Sequence, residues 1–187
     1  MTISPKKKEP TPRKYQSFSR MVVFQVLCQR DINRSDTSFD DEQFIVTEVD
    51  PDGTDTDDLS YREGSLPVNT TEELEGSPVY TPPAEKDRPA AIRFARDLRE
   101  AAVAHREEID QKIVDTALNW SLSRMTLTDR NVLRLALAEL LYFPTPVAIV
   151  IDEAIGLAKS FGSENSASFV NGILGKIVDS LPPRDGR

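Results

Sequence analysis

An all-α fold is predicted for this chain by two observations: the spacing of its apolar residues and the lack of any strand pattern. Apolar side chains recur three or four positions apart over residues 16–30 and again over 89–181, which is the periodicity of one helix face. No segment of any length alternates between apolar and polar residues, as half-buried strands do. We therefore expect a bundle of six or seven helices.

The helices can be placed in order from local signals. The first is expected over Gln16 to Arg30, where Val22 and Val26 lie four residues apart on an apolar face. Pro89 opens the next helical run, because proline is favoured in the first turn of a helix. The stretch from His105 to Trp120 continues the helical pattern.

Capping signals delimit the remaining helices. Thr126 to Asp129 resembles a capping box and precedes a helix that is apolar nearly all round, which predicts a central place in the core. Pro144 to Pro146 ends that helix, and its middle threonine is expected to be the N-cap of the next. That helix ends at Gly162. The last begins between Ser163 and Ser166 and runs to about Leu181.

Charge is distributed unevenly along the 187 residues. The formal net charge of -8, taken alone, argues against a polyanionic partner. By segment, however, residues 1–30 carry +6, residues 31–87 carry -14 and residues 88–187 are neutral. We expect residues 1–15 to form a flexible basic arm, which suits contacts with phosphates and equally suits a solubilising tail.

The acidic segment 31–87 is predicted to be a long loop insertion. It is rich in Asp, Thr, Ser and Pro, and it buries too little apolar surface to offset the entropy lost on ordering. Within it, Phe39 to Val49 is a candidate short element. Thirty residues before the insertion are too few for a domain, so residues 16–187 are expected to form one interrupted helical domain.

The residue types that carry most enzyme chemistry are scarce. One histidine (His105), one cysteine (Cys28) and 8 glycines leave no intrachain disulfide, no usual zinc set and no glycine-rich phosphate loop. Asp152 and Glu153 are adjacent, so they point to different helix faces and are interpreted as solvated charges. Arg134 is interpreted as a structural side chain paired with a carboxylate or with helix ends. We expect no enzymatic activity, no cofactor and no metal.

No apolar run approaches the roughly 20 residues that a membrane span needs. The apolar stretch that follows the first lysines is interrupted by Gln25, and no cleavage site of small residues follows it. A cytoplasmic protein with a buried free cysteine, and without a membrane partner, is therefore expected.

Four segments carry a family pattern. The two most specific are Val147–Gly162, which reads VAIVIDEAIGLAKSFG, and Ser166–Ile177, which reads SASFVNGILGKI. Asn119–Leu140 and Ser19–Gln29 supply the other two. Together these segments resemble the NusB family of bacterial transcription antitermination factors.

The resemblance implies two packed helical subdomains and no catalysis. It also implies that the chain binds single-stranded boxA-type RNA together with NusE, a small-subunit ribosomal protein. That assembly joins the RNA polymerase elongation complex with other Nus factors, and it supports processive transcription of ribosomal RNA operons.

Two alternative functions stay open. One is a NusB-like protein-interaction module with weak or no RNA binding. The other is a component of an RNA cytosine methyltransferase, because NusB-like domains occur fused in front of such enzymes. The chain lacks the cysteine pair and the glycine-rich cofactor loop that this chemistry needs, so the second alternative ranks far lower.

The resemblance further implies RNA-binding residues. Arg20 matches the motif arginine of the first helix, and Phe161 lies at the turn near bound RNA. Asn165 stands where the family often has Asp, and the missing carboxylate should leave a helix N-terminus free to attract phosphate. The family's further arginines just before Arg20 are absent, because Gln16, Ser17 and Phe18 stand there. The arm residues expected to replace them are Lys6, Lys7, Lys8, Arg13 and Lys14.

Two residues are implied to face NusE. Asp129 matches an acidic position that can pair with a basic partner. Cys28 stands where the family often has a tyrosine that helps to contact NusE. The acidic insertion is longer than the family's loop, and one open hypothesis is that it competes with RNA for the basic arm.

Overall fold

Helices alone build the described part of this protein. The computed structural model describes residues 14–33, 40–50, 80–117 and 121–182, and these form no strand. The all-α prediction is therefore confirmed. No helix among these residues is both long and apolar enough to cross a membrane. The helices are α1 (Lys14–Ile32), α2 (Asp41–Val49), α3 (Arg88–Ala104), α4 (Arg106–Thr116), α5 (Leu127–Tyr142), α6 (Val147–Phe161) and α7 (Ser166–Ser180).

The helices pack in two groups around α5. Helices α1, α2 and α3 pack against one another, and α4, α6 and α7 pack around α5. Because α5 also contacts α1 and α3, it joins the two groups. Every residue from 131 to 140 is buried, as expected for a helix that is apolar nearly all round. The predicted two subdomains and the central position of this helix are confirmed.

The helix ends follow the capping prediction at α5 and depart from it at α6. The Thr126 hydroxyl oxygen accepts a hydrogen bond from the Asp129 backbone N–H at 3.0 Å, so this cap is confirmed. Helix α6 has Pro146 as its N-cap, with no side-chain cap. The predicted cap Thr145 is wrong, because its hydroxyl instead donates to the buried Glu139 carboxylate at 2.7 Å.

A folded helix lies inside the predicted insertion. Asp40 caps α2 by accepting hydrogen bonds from two backbone N–H groups. Phe44, Ile45 and Val49 are buried where α2 packs on α1 and α3. The candidate short element at Phe39–Val49 coincides with α2, and the predicted loop span of 31–87 is too wide because it includes this helix. The loop prediction for residues 34–39 and 51–79 lies outside the described residues.

Several acids of this segment are paired with arginines of α1 and α3. Asp41 pairs with Arg30, and Glu42 pairs with Arg96. Asp50 pairs with Arg88 at 2.5 Å, which fixes the end of α2 beside the start of α3. These carboxylates hold α2 in place, so their charge is partly neutralised within the fold.

Candidate nucleic-acid interface

The turn between α6 and α7 is built to a fixed shape. Gly162 ends α6, and a Cβ atom there would lie 2.4 Å from the Ser166 Cβ and 2.5 Å from the Ala158 carbonyl oxygen. Only glycine fits that space. The Ser166 hydroxyl oxygen accepts a hydrogen bond from the Ser163 backbone N–H at 2.9 Å, which closes the turn at the start of α7.

The turn is also attached to the rest of the fold. The Thr128 hydroxyl in the first turn of α5 donates to the Phe161 carbonyl oxygen at 3.1 Å. The half-buried Phe161 ring contacts the Phe24 ring of α1, with centroids 5.2 Å apart, and the Tyr80 ring, with centroids 6.2 Å apart. Phe161 thus packs the end of α6 against the fold just before the turn. Its contact with RNA stays a prediction.

The turn presents a helix N-terminus to solvent. Asn165 is the exposed N-cap of α7, and its side chain caps no backbone N–H. The first turn of α7 holds no acidic residue. Its Ser166 N–H donates to the Ser163 carbonyl oxygen, and the Ala167 and Ser168 amides have no acceptor within their own helix. Lys159 is exposed in the last turn of α6 and would attract an anion. Glu164 is also exposed, and its carboxylate would repel an anion. Together the helix dipole, the amides and Lys159 suit a phosphate group.

Arg20 does not lie on this surface, and the prediction that its side chain faces RNA is wrong for this structure. Only 2 % of its side chain is exposed. Its Nε and Nη2 atoms donate to the Glu139 carboxylate at 2.7 and 2.6 Å, and its guanidinium lies 5.2 Å from the centre of the Phe94 ring. A bidentate, desolvated pair of this kind leaves little capacity for phosphate.

A second carboxylate completes this buried group. Glu153 lies 3.7 Å from Arg20 and accepts a hydrogen bond from the Ser17 hydroxyl at 2.6 Å. The interpretation of Glu153 as a solvated charge is therefore wrong, whereas Asp152 is exposed as expected. Local sequence could not reveal this, because Glu139 is separated from Arg20 by 119 positions.

The basic arm meets the fold at the start of α1. Lys6, Lys7, Lys8 and Arg13 lie outside the described residues, and Lys14 is the first residue of α1. Contacts of Ser17 with Glu153 and of Phe24 with Phe161 show that α1 and α6 run side by side in the same direction. The start of α1 is therefore about 15 Å along the helix from the ring contact below the turn, nearly three helical turns away.

The predicted partner residues are both buried. Cys28 is fully buried, and its sulfur accepts a hydrogen bond from the Asn131 amide at 3.7 Å. Burial raises its pKa to about 12, so the group is an unreactive thiol and the predicted contact of its side chain with NusE is wrong. Asp129 is 7 % exposed, and its Oδ1 atom has no hydrogen-bond partner among the described residues.

A cluster of three arginines lies next to Cys28. Asp31 at the end of α1 contacts Arg106, Arg130 and Arg134 at 2.5, 2.8 and 2.7 Å. Arg134 also forms two hydrogen bonds with Asp110, at 2.6 and 2.8 Å, so its interpretation as a paired structural residue is confirmed. Burial would raise the pKa of Asp31, but Arg134, Arg130 and Arg106 together lower it to about 2. The cluster ties α1, α4 and α5 together.

Sequence reasoning missed two contributors to the turn. Lys159 lies inside the family block but drew no attention, although its place one turn before Gly162 was a usable signal. Tyr80 lies in the predicted loop insertion, and no local pattern indicated that its ring reaches Phe161.

Known proteins with similar sequences and folds point to one family. The model of the NusB family matches residues 69–179. The transcription antitermination protein NusB of Myxococcus xanthus is 45% identical over 115 residues, which are 61% of this chain and 82% of that protein. The corresponding protein of Geotalea uraniireducens is 44% identical over 104 residues, 55% of this chain and 72% of that protein.

Solved structures share the fold. NusB of T. maritima superposes with a TM-score of 0.60 at 31% identity, covering 93% of this chain and 96% of that one. A structure of antitermination factors NusB and NusE with double-stranded RNA gives a TM-score of 0.61 at 23% identity, which speaks for the fold alone. It covers 90% of this chain and 98% of that one. On its family match and its relatives, the chain belongs to the NusB family.

Proposed function

We propose that this protein is a cytoplasmic, non-catalytic transcription antitermination factor. It binds boxA-type RNA together with NusE within the RNA polymerase elongation complex, and it supports processive transcription of ribosomal RNA operons. The family match over residues 69–179 carries this proposal, because it spans helices α3 to α6 and nearly all of α7, together with the α6–α7 turn.

The geometry of the turn supports RNA as the ligand. A rigid Gly162 turn, an exposed α7 N-terminus and the exposed Lys159 offer a phosphate site. The predicted arm adds Lys6, Lys7, Lys8, Arg13 and Lys14, whose charges would bind the RNA backbone without reading its sequence.

NusE is the proposed partner on the side of Asp129. The Asp129 carboxylate is 7 % exposed, and its negative charge suits a basic side chain of the partner. A related NusB has been crystallised with NusE and double-stranded RNA, so duplex RNA belongs among the ligands to be tested.

The test is an RNA titration of the full chain with and without NusE, across a series of salt concentrations. We expect NusE to raise the affinity for boxA-type RNA, with a steep fall in affinity as salt increases. A scrambled RNA of equal length and a duplex of the same sequence are the controls. Equal affinity for boxA-type and scrambled RNA in the presence of NusE would refute the proposal.

A protein-interaction module with weak RNA binding is the second candidate. The burial of Arg20 favours it, because one expected RNA contact is engaged within the fold. Removing residues 1–13 separates the two candidates. For an RNA-binding factor, the truncation should reduce RNA affinity and flatten its salt dependence, whereas for an interaction module the full and truncated chains should bind RNA equally weakly.

A further inference from the structure

A short segment near the end of the predicted acidic insertion contacts the last residue of α6, just before the α6–α7 turn. Residues 80–84 form neither a helix nor a strand and lead to a 3-10 turn at Glu85–Asp87, which continues into α3. Pro82 and Pro83 restrict the backbone of this segment, and Pro83 is buried. The segment therefore has a fixed anchor at its α3 end and presents Tyr80 at the other.

Tyr80 contacts the turn through one residue. Its ring lies against Phe161, whose ring lies in turn against Phe24 of α1. Phe161 is the last residue of α6 and directly precedes Gly162. Its contacts with these two aromatic rings therefore fix the end of α6, where the turn begins. Because Gly162 packs closely against Ser166, the position of Phe161 also affects the start of α7.

The Tyr80 hydroxyl is also enclosed. It lies beside Ser160 and near the buried Arg20 and Glu153. Burial first, and then the Glu153 carboxylate, raises the pKa of Tyr80, so the phenol stays neutral. The ring thus packs against the end of α6, with its hydroxyl oxygen buried and without a hydrogen-bond partner among the described residues.

We propose that Tyr80 is a positioning residue for the RNA-facing turn. It holds Phe161 in place and thereby fixes the exposed Asn165 and the α7 N-terminus in the orientation that meets phosphate. This inference rests on the proposed function. It gives residues 80–84 a direct influence on RNA affinity, through contact with the turn rather than through charge.

Two substitutions at the same site separate ring packing from the hydroxyl group. Tyr80→Ala removes the ring contact, and we expect the affinity for boxA-type RNA with NusE to fall about two- to tenfold, the range of an aromatic pair. Tyr80→Phe keeps the ring, so it should restore affinity to within about twofold of the unchanged chain. If Tyr80→Ala does not fold by circular dichroism, Tyr80→Leu replaces it under the same criterion.

Hydrogen exchange reads out the turn without RNA. In Tyr80→Ala, the amides of residues 162–168 should exchange about two- to tenfold faster, while those in the middle of α5 keep their rates. Phe143→Ala is the matched control, because the Phe94–Phe143 ring pair has centroids 5.9 Å apart and lies outside the described turn. It should lower stability without changing exchange at the turn or RNA affinity.

The outcomes decide the two proposals independently. Unchanged exchange at residues 162–168 and unchanged RNA affinity in a folded Tyr80→Ala protein would overturn the role of Tyr80. If the unchanged chain binds no boxA-type RNA, the proposed function fails. Faster exchange at the turn in Tyr80→Ala would then still support a positioning role for Tyr80, and unchanged exchange would refute it.

Discussion

The buried ionic groups and the α6–α7 turn use polar side chains in opposite ways. In the groups around Arg20 and Asp31, each guanidinium is matched to carboxylates inside the fold. At the turn, Lys159 and Asn165 are exposed, and neither forms a side-chain pair with another described residue. A basic residue at a family motif position is therefore not enough to predict an RNA contact. Whether its side chain is buried decides if its charge is structural or available to RNA.

The largest effect is expected from breaking the Arg20 group. Arg20→Ala leaves the Glu139 carboxylate buried and unpaired, which should lower the free energy of unfolding by about 3–5 kcal/mol. Urea denaturation measures this change. The salt dependence of RNA binding by the folded fraction should stay the same, because the side chain contacts no solvent-facing ligand.

Arg93→Ala provides the matched control for that experiment. Arg93 is exposed on α3, so its removal should change stability by no more than about 0.5 kcal/mol. The structural role of Arg20 is refuted if Arg20→Ala is as stable as Arg93→Ala and yet loses salt-dependent RNA binding. Arg20 would then be an RNA contact.

The Asp31 cluster gives a pH-dependent prediction. Because the pKa of Asp31 is about 2 in the folded chain, below its ordinary 3.8, its stabilisation is complete above about pH 4 and is lost as pH falls toward 2. The shift corresponds to about 2 kcal/mol at neutral pH. Asp31→Asn should lose that amount and show a flatter fall in stability between pH 4 and pH 2.

Denaturation curves at several pH values measure this effect. Asp152→Asn is the control, because Asp152 is an exposed carboxylate outside every described ion pair. Equal pH profiles for Asp31→Asn and the unchanged chain would show that the arginines around Asp31 do not stabilise its charged form.

The fold could be predicted from sequence where the determining interactions are local. The spacing of apolar residues placed α1, α5, α6 and α7, and the cap at Thr126 is set by residues within one turn. The Gly162 turn was found through the family block, although the reason for its glycine, crowding by Ser166, is visible only in three dimensions.

The site could be predicted less well because its contacts join distant parts of the chain. Whether Arg20 faces RNA depends on Glu139, and the shape of the turn depends on Tyr80. Neither partner is near in sequence. Helix α2 was expected only as a short element of unspecified type, since its three buried apolar residues are embedded in an acidic segment whose composition is typical of loops.

A smaller effect is expected at the exposed turn. Asn165→Asp places a carboxylate at the α7 N-terminus, where it satisfies the helix dipole and repels phosphate. The affinity for boxA-type RNA with NusE should fall about two- to fivefold at low salt, and less at high salt. Asn171→Asp, which adds the same charge at an exposed position further along α7, is the control in the same titration. Equal losses in both variants would mean that the α7 N-terminus has no special part in binding.

The smallest effect concerns the acidic residues 51–79, which hold eight carboxylates and one arginine. Replacing these Asp and Glu residues by Asn and Gln changes the charge of the segment from -7 to +1 without altering its length. Deleting all of 31–87 would instead remove α2 and Tyr80, and so would mix an effect of charge with an effect on folding.

If the acids compete with RNA for the basic arm, neutralisation should raise RNA affinity at low salt. The gain should largely disappear near 0.15 M salt, where the screening length is about 8 Å. Neutralising the exposed acids Asp97, Glu100, Glu107 and Asp115 provides the control for net charge. A gain per charge no larger than in that control would show that residues 51–79 act only through the total charge of the protein.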